Sequence, residues 1–598
     1  MKLVTNNFRL NSAQEFITSF SQTNTNVYYI FNGRNYPYAN DNTVPAIYDN
    51  EDYLVYQAYN DMIYGKRLSS SDVCLMIKRH NWESNTVYSK YDDQANNLFN
   101  TSFYVVNSNN AVFKCLNNAN GAPTTVEPTI EDPTDEIYIE TVDGYQWKYM
   151  YTANSVQVAK FATQEYFPFQ ENVDVAGNAV SGAIEVILVE STGALKYTAT
   201  TTNTFNVTAV GGNNLIFELS SDASSTANIY ADSAIFVDGI NEQRKIVQYD
   251  ANTKQILIDE VFSTLPNTSV TYTITPNILI VGDGTGAKAR AVVNSTTKLI
   301  SSVIVTNRGE GYTFSNVVVQ GYSTVTANTT NSPTIRAIKG PRGGHGKNQA
   351  AELGAHWACV ATTINSAQSN NKIVDENDFR IVGIIKNPLL REVSLTVNPE
   401  FTVDDYTIGK KITQSNTNAN GVITEIDSNN NIITLTSVGG LFNTIDVLTS
   451  NAAPAVNATC NTVVGQEIYF DQTLRLVCTN SNNDISGYFT EDEIVIQPGR
   501  ETYYGANGIF YSSNTINNGD TSLIRLTHVK GTFNSSDIST EWLLQGTAGL
   551  SGQPEANIQS QILPDLMHGT GEVTYIEDML PISRNTDQTE TFKLIFEF

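Results

Sequence analysis

Apolar and polar residues alternate with a period of two along most of the chain, which is the pattern of strands that bury one face. Clear runs of this kind are AIEVILVE (183–190), LISSVIVT (299–306), FRIVGII (379–385) and NIITLTSV (431–438). Asn-rich stretches typical of hairpin tips occur at SNNN (428–431), NSNN (480–483) and NNGD (517–520). We therefore expect a mainly β protein, built as several β-sandwiches or barrels.

Helical patterns are few and lie near the N-terminus. Ser12 and Glu15 have the spacing of a capping box ahead of the apolar residues of 16–20. A second helix is predicted from Asp52 to about Tyr64, where apolar and tyrosine residues recur at helical spacing.

A degenerate repeat occupies the C-terminal half of the chain. One copy starts with FTVDDYTIGKK at Phe401 and the other with FTEDEIVIQPG at Phe489. The corresponding pairs are Phe401/Phe489, Gly421/Gly508, Leu435/Leu526, Val438/Val529 and Phe442/Phe533. Because the length changes fall in Asn-rich turns, each copy is predicted to be a small meander whose Phe and Leu side chains share one core.

The length of 598 residues predicts several domains. We interpret two stretches as inserted β modules in a core that is interrupted twice. The predicted segments are a core N-terminal part (1–180), an inserted module (181–335), a core middle part (336–395), a second inserted module (396–561, with repeats at about 401–450 and 489–540) and a C-terminal strand region (562–598).

The chain is strongly acidic, with a formal net charge of -26 from 61 acidic and 35 basic residues. Such a surface repels phosphate backbones and anionic lipid, so neither nucleic acid nor a membrane is an expected partner. No apolar run approaches the roughly 18 residues of a membrane helix, and the N-terminus lacks the apolar core of a secretory leader. We therefore expect a soluble protein.

Cysteine and histidine spacing predicts no metal site. The scattered cysteines are interpreted as reduced, buried thiols of a protein made in a cytoplasm, and the five histidines as surface or packing residues. Asp427, Asn429 and Asn431 begin like a calcium loop, but Ile432 stands where that loop requires glycine. Neither a metal nor another cofactor is expected.

The glycine-rich stretch GPRGGHGKN (Gly340–Asn348) comes within one residue of the phosphate-binding loop GxxxxGK[ST]. Pro341 stands where the first glycine belongs, five residues instead of four separate Gly340 from Gly346, and Asn348 replaces the hydroxyl. No convincing helix is predicted after Lys347. These departures favour a tight turn that passes close to other backbone over a nucleotide site.

The C-terminal segment DLMHGTGEVTYIEDMLPISRNTDQTETFKLIFEF (565–598) resembles the C-terminus of the baseplate wedge subunit of T-even-type contractile-tailed bacteriophages, the gene product 8 class. Further matching blocks follow in the same order along the chain. They are YYIFNGRNYP (28–37), KRHNW (78–82), VFKCL (112–116), DGYQWKYMY (143–151) and FRIVGIIKNPLL (379–390). The resemblance covers about 27–170, 351–395 and 563–598; the family's Arg-Arg-Asp-Trp run departs here to Lys78–Trp82, which puts any ion pair of that aspartate in doubt.

The resemblance implies a non-enzymatic virion protein of the tail baseplate, assembled in the host cytoplasm. It also implies a homodimer that contacts other wedge proteins and takes part in the switch that accompanies tail contraction, without a small-molecule substrate. The structural or interface candidates are Gly33, Arg34, Pro37, Trp82, Tyr145, Trp147, Tyr149, Phe379, Arg380, Asn387, Pro388, Glu572, Tyr575, Pro581, Asp587, Gln588, Phe596 and Phe598.

The aromatic and terminal blocks carry structural predictions of their own. Tyr145, Trp147, Tyr149 and Tyr151 alternate along a predicted strand, so they should form an aromatic stripe in a core or a subunit interface. The apolar strand that ends at Phe598 should be docked in a sheet, since a free one would fray.

A second function class remains open. A tail-fibre or tailspike adhesin would also explain the β repeats and the abundance of Tyr and Asn. Carboxylates at 131–140, 404–405 and 491–493 could then cleave glycans, although solvated acidic loops are the simpler interpretation.

Overall fold

The computed structural model confirms a mainly β fold, with 47% of residues in strands and 10% in helices. It describes residues 5–598 apart from 46–50, 131–137, 198–199, 205–213, 238–239, 241, 267–270, 322–331, 375–376, 402, 452–456, 480–484, 486, 499–504, 517–520, 536–542, 548–554 and 586–587. By its internal contacts the chain divides into two compact units. The first comprises Met1–Leu10 and Met76–His356, and the second comprises Asn11–Leu75 and Trp357–Phe598.

The elements are numbered in chain order. The α-helices are α1 (Asn6–Ser19), α2 (Glu51–Asp61), α3 (Ser155–Phe161), α4 (Val173–Gly177) and α5 (Gln349–Leu353). The strands up to residue 307 are β1 (Tyr28–Gly33), β2 (Met62–Arg67), β3 (Val73–Lys78), β4 (Tyr104–Val106), β5 (Ala111–Asn118), β6 (Tyr138–Glu140), β7 (Tyr145–Thr152), β8 (Tyr166–Pro168), β9 (Ile184–Ser191), β10 (Thr200–Thr204), β11 (Ile216–Glu218), β12 (Ser233–Val237), β13 (Glu242–Asp250), β14 (Gln255–Ile258), β15 (Thr271–Gly282), β16 (Lys288–Val293) and β17 (Ile300–Asn307). The later strands are β18 (Ser315–Gln320), β19 (Thr334–Lys339), β20 (Trp357–Asn365), β21 (Asp378–Lys386), β22 (Val393–Val397), β23 (Lys411–Gln414), β24 (Asn420–Asp427), β25 (Ile432–Gly439), β26 (Leu448–Ser450), β27 (Asn457–Ala458), β28 (Cys460–Val464), β29 (Tyr469–Asp471), β30 (Leu474–Thr479), β31 (Ile494–Gln497), β32 (Ala506–Ile516), β33 (Thr521–Lys530), β34 (Leu544–Gly546), β35 (Glu555–Ile562), β36 (Glu572–Ser583) and β37 (Thr589–Glu597).

Both predicted N-terminal helices exist, but their boundaries differ from the prediction. α1 begins at Asn6, so Ser12 lies inside it and caps nothing; instead Thr5 Oγ1 accepts the N–H of Phe8 at 3.2 Å. α2 ends at Asp61, because the chain turns there into β2 rather than continuing to Tyr64. The start of α1 is set by a cap that precedes Ser12, and the end of α2 by the strand that follows it, so neighbouring structure overrides the local helical pattern in both cases.

In the second unit, β1 lies in a sheet with the order β29-β2-β1-β21-β36. Alternate residues of β1 enter two different cores: Tyr29 and Phe31 belong to one apolar cluster, and Tyr28 and Ile30 to another. Because β1 is buried on both faces, YYIFNG reads as a continuous apolar run rather than an alternating one. The cluster around Tyr29 also contains Leu435 from the first repeat, so the repeat shares a core with this sheet.

The two repeat segments have the same strand order. The first runs β26-β23-β24-β25-β22-β28 and the second runs β34-β31-β32-β33-β30-β35, where β35 also pairs with β34 and so closes a barrel. In the second copy, β35 pairs with both β30 and β34. In the first copy two strands divide this role: β28 pairs with β22 and β27 pairs with β26, and only Thr459 separates β27 from β28. The five-segment division of the chain, however, stays a prediction.

A side-chain contact is also duplicated between the two copies. Gln414 donates to the carbonyl of Asn443 at 2.7 Å and accepts its N–H at 2.8 Å. Gln497 makes the same pair of bonds to Asn534, at 3.0 and 2.8 Å.

The predicted hairpin tips have different outcomes. SNNN (428–431) joins the antiparallel strands β24 and β25, as predicted, and Asp427 accepts the N–H of Asn429 at 2.9 Å in that turn. NNGD (517–520) lies outside the described residues, but the flanking Ile516 and Thr521 are paired across β32 and β33. NSNN (480–483) lies outside the described residues as well.

In the first unit, the aromatic residues of β7 are core residues. Tyr145, Trp147 and Tyr149 are fully buried in one cluster, within a sheet of order β4-β5-β7-β6. Tyr151 does not continue this stripe, because the pairing register shifts between Val112 and Phe113 and Tyr151 enters a different cluster. A larger sheet of order β11-β14-β13-β12-β15-β16-β17 follows, and β9 pairs with β19.

The C-terminal strand is docked, as predicted. β37 pairs antiparallel with β20 along its whole length, from Thr589 opposite Asn365 to Glu597 opposite Trp357. Phe596 and Phe598 pack against Phe16 of α1, with ring centroids 5.5 and 5.4 Å apart.

Candidate functional site

The predicted structural or interface residues do not form one surface. Buried members are Gly33, Tyr145, Trp147, Tyr149, Phe379, Arg380 and Pro388. Half-buried members are Arg34, Trp82, Tyr575, Pro581, Gln588, Phe596 and Phe598, whereas Pro37, Asn387 and Glu572 are exposed. Asp587 lies outside the described residues.

Two of these residues meet a buried carboxylate that the sequence did not reveal. Gly33 and Arg34 turn at the end of β1 beside Asp61, the last residue of α2, and the N–H of Arg34 bonds to the carbonyl of Asp61 at 2.7 Å. A Cβ on Gly33 would lie 2.7 Å from that carbonyl oxygen, so the close approach requires glycine. The NGR motif therefore docks the turn onto the end of α2.

The Asp61 carboxylate, only 1% exposed, collects polar groups from several elements. It accepts hydrogen bonds from the Tyr36 hydroxyl at 2.6 Å and the Gln57 amide at 2.8 Å, and Arg34 lies 3.8 Å away. His528 Nδ1 lies 3.4 Å from the same carboxylate. Burial and the Asp61 charge raise the pKa of Tyr36, so its phenol stays a hydrogen-bond donor at neutral pH.

Arg34 and His528 approach Asp61 in strained backbone conformations, with φ of 57° and 49°. The left-handed region is uncommon for residues other than glycine, and such residues concentrate at functional sites. Stacking holds Arg34 in place, since its guanidinium lies 4.2 Å from the Tyr36 ring centroid and 4.5 Å from that of Tyr38. His528 sits where the β32–β33 register is irregular, between Thr527 and Lys530.

Two cavities are lined by members of this group of residues. One of about 240 Å³ is lined by Arg34, Tyr38, Asp61 and Asp578, and burial raises the pKa of Asp578. The other, of about 310 Å³, is lined by residues that include His528.

Arg380 has a structural role in the same unit. Its guanidinium bonds to the Asp41 carboxylate at 2.8 Å and to the carbonyl of Asn35. The Asn35 side chain in turn donates to Asp492 at 3.0 Å and accepts from Thr527 at 2.8 Å. This network ties the segment after β1 to the second repeat.

The first unit contains a separate cluster of buried charges. Lys114 and Lys148 face each other across β5 and β7 as direct cross-strand partners, and neither is exposed. Lys114 forms an ion pair with Glu352 of α5, whereas Lys148 Nζ has no hydrogen-bond partner among the described residues. Lys148 lies instead 4.2 Å from the ring centroid of Tyr138.

Burial changes the protonation of this cluster. Burial, and then the charges of Lys114 and Arg308, lower the pKa of Lys148 to about 7. Burial raises the pKa of Glu185 to about 8. His345 lies 3.4 Å from Glu185, and burial lowers its pKa well below the usual range, so it is neutral at pH 7.

The GPRGGHGKN stretch forms the loop that inserts His345 into this cluster. A Cβ on Gly344 (φ 96°) would collide with the Val180 backbone, and one on Gly346 (φ 90°) would lie 3.3 Å from Lys148 Cε. The predicted close backbone approach is thus confirmed. The expectation of no helix after Lys347 was wrong, because Asn348 caps the five-residue α5 by accepting the N–H of Ala351 at 3.0 Å.

The cysteines, the possible metal ligands and the acidic stretch at 131–140 were the remaining candidates from the sequence. All five cysteines are buried and none is part of a disulfide, as predicted. Within the described residues, His, Cys, Asp and Glu side chains form no group of three or more that could hold a metal ion. Of the helices in the described part of the chain, none is long and apolar enough to cross a membrane. Four of the acidic residues at 131–140 lie outside the described residues, and Glu140 is exposed.

Sequence reasoning missed the residues that organise both sites. Asp61 follows a tyrosine-rich helical pattern, and its partner His528 is more than 400 residues away in the chain. Lys114 and Lys148 did leave a signal, since each interrupts an otherwise apolar strand, VFKCL and YQWKYMY. No protein-family model and no curated protein matches the chain.

Proposed function

We propose that the chain is a non-enzymatic structural subunit of a contractile phage tail, placed in the baseplate wedge. The supporting observation is where the family-like blocks lie in the fold. YYIFNG forms β1, FRIVGIIK lies in β21, and EVTYIEDMLPIS forms β36; β21 pairs with both of the others. Blocks separated by more than 150 residues thus build one sheet, so their joint occurrence has a structural basis.

The first unit repeats this relation. VFKCL lies in β5 and QWKYMY in β7, and the two strands pair through Val112–Asn118 and Tyr145–Tyr151. KRHNW follows at the end of β3, where the N–H of Trp82 bonds to the carbonyl of Val106 at 2.9 Å. The family-like residues are therefore used for packing and strand pairing, which suits a scaffold.

In this role the protein acts through interface geometry. A symmetric homodimer presents the same surface twice to the other wedge proteins. Such a subunit can hold one arrangement of its neighbours and release it when the interfaces repack during contraction.

The solution mass of the full chain, measured by light scattering behind a sizing column, tests the proposal. A dimer of the 65.6 kDa chain is expected, and it should co-purify with co-expressed wedge proteins. A monomer at all concentrations, or a dimer that binds none of those proteins, contradicts the wedge assignment. A trimer that binds glycans favours the adhesin, which the duplicated β module would also suit.

A further inference from the structure

The cavity of about 310 Å³ in the second unit has the size of a small-molecule site. Its wall combines apolar residues, among them the partly exposed Val529 and Leu563, with Arg391, His528 and His568. Among the described residues that line it, none is acidic, although the chain as a whole has a net charge of -26. The described lining therefore carries one fixed cation and no carboxylate, although Asp565 acts on Arg391 and Asp61 lies 3.4 Å from His528.

Arg391 is the fixed positive charge of this wall. Its Nε donates to the carbonyl of Pro564 at 2.8 Å, which anchors the guanidinium. The carboxylate of Asp565 also acts on the charge of Arg391. Asp565 already forms ion pairs with Lys372 at 2.7 Å and Arg475 at 2.8 Å. Burial lowers the pKa of Arg391, so the cation is in an environment that does not fully compensate it.

His568 lies at the rim beside this charge. Its ring contacts Tyr56 and Tyr59 of α2, with centroids 5.6 and 5.0 Å apart. Burial, and then the Arg391 charge, lower the pKa of His568. A negative charge bound next to Arg391 and His568 would offset the charge of Arg391 and so raise the pKa of His568.

His528 distinguishes this repeat from its duplicate. By the repeat alignment, Ser437 occupies the equivalent position and has a similar left-handed φ of 53°. The backbone irregularity thus belongs to the module, whereas the imidazole is specific to the copy that forms the cavity. On the other side of His528, Asp61 lies 3.4 Å from Nδ1.

We infer that this cavity binds a small organic oxyanion, either a carboxylate or a phosphate ester, whose charged group pairs with Arg391 and whose apolar part lies against Val529 and Leu563. A guanidinium offers parallel N–H donors that match the oxygens of both groups. His528 and His568 supply further ring nitrogens, and Asn60 also lines the cavity. This inference does not depend on the chain being a wedge subunit.

Histidine-selective NMR of the full chain tests the inference with benzoate, phenyl phosphate and the neutral analogue benzamide as probes. The ring signals of His528 and His568 are assigned from His528→Gln and His568→Gln. We expect either anion, but not benzamide, to shift both signals saturably and to raise the pKa of His568. The tighter of the two anions identifies the charged group. Equal binding of benzamide, or no saturable shift up to about 10 mM anion, overturns the inference.

Two arginine variants distinguish the contribution of the Arg391 charge to anion binding from the general effect of removing an arginine. Arg391→Gln should weaken anion binding by about 10-fold to 150-fold, the usual range for a lost hydrogen bond to a charged group. Arg79→Gln is the matched control, because Arg79 also donates to a backbone carbonyl, that of Thr163 at 2.9 Å, but lies in the first unit. If Arg391→Gln fails to fold, Arg391→Lys takes its place and should weaken binding less than tenfold; unchanged binding in a folded Arg391→Gln overturns the inference.

Discussion

Replacing each of the two buried lysines of the first unit by methionine should shift stability in opposite directions. Lys148→Met removes an ammonium group without a hydrogen-bond partner among the described residues and keeps a similar apolar stem. Lys114→Met removes the cation that pairs with Glu352 and leaves that carboxylate buried, with 3% of its side chain exposed. The two lysines are equally buried and directly opposite each other, so each controls for the other.

The magnitude for Lys148 follows from its pKa, which falls from 10.5 to about 7 on folding. A shift of that size corresponds to about 4 to 5 kcal/mol. Loss of the contact with the Tyr138 ring offsets about 1 to 2 kcal/mol of this gain. We therefore expect Lys148→Met to raise the free energy of unfolding by about 2 to 4 kcal/mol at pH 7, and Lys114→Met to lower it by about 3 to 5 kcal/mol.

The gain from Lys148→Met should depend on pH. Because the folded-state pKa of Lys148 is below its unfolded value, the folded chain binds fewer protons and the penalty is full below about pH 7. The penalty disappears as pH rises toward the unfolded pKa, so by the same relation it is about 2 kcal/mol at pH 9 before the ring contact is counted. The advantage of the variant must therefore shrink between pH 7 and pH 9.

Urea-dependent hydrogen exchange, read by mass spectrometry on peptides from β5 and β7, is the suitable assay. A transition of the whole chain would mix the two units, whereas these peptides report the opening of the first one. The reasoning is refuted if Lys148→Met is no more stable than the unchanged protein at pH 7, or if both variants shift stability in the same direction.

Three further outcomes can be checked by simple measurements. Glu185→Gln should match the unchanged protein in the free energy of unfolding near pH 5 but exceed it by at least about 2 kcal/mol at pH 8.5, read by the same hydrogen-exchange assay on peptides from β9. The reason is that a folded-state pKa of about 8 makes stability fall as pH rises from the unfolded value; equal stability at both pH values contradicts this. Deleting Lys593–Phe598 should abolish soluble protein, since it uncovers the edge of β20 and removes the rings packed on Phe16, while Lys593→Ala should be tolerated; normal yield of the deletion would sink the idea. Gln414→Ala and Gln497→Ala should each lower the free energy of unfolding by about 1 to 3 kcal/mol, and a loss in only one of them would show that the duplicated contact is not equivalent.

Local sequence patterns were sufficient to predict where strands lie, but not which core each side chain of a strand enters. The alternating runs at 183–190 and 431–438 correspond to β9 and β25 within a residue or two, because burial of one face produces a period of two directly. The stripe of β7 failed at Tyr151, since a register shift against β5 depends on a partner strand about 30 residues away. Helix starts failed for a related reason: the Thr5 cap and the Ser12 pattern compete, and only the folded chain decides between them.

The candidate sites were harder to predict because they are made of distant residues. Asp61 and His528 meet only because α2 and the β33 irregularity meet, and neither residue has a motif around it. Gly33 and Arg34 were predicted as structural or interface candidates and do lie beside Asp61, but their NGR motif gives no sign of what the turn docks onto.

The duplicated module shows how a scaffold and a site can be told apart in one chain. Both copies keep the strand order, the Gln to Asn contact and a left-handed residue at the same position, so these features belong to the fold. At that left-handed position one copy has Ser437 and the other has His528, and only His528 faces a buried carboxylate and a cavity. Because both copies share the left-handed conformation at this position, the imidazole is the feature that distinguishes the second copy there. If the second copy holds the proposed anion site, the titration of His528 and His568 must show it, whereas a chain without that site would give no saturable shift of either ring.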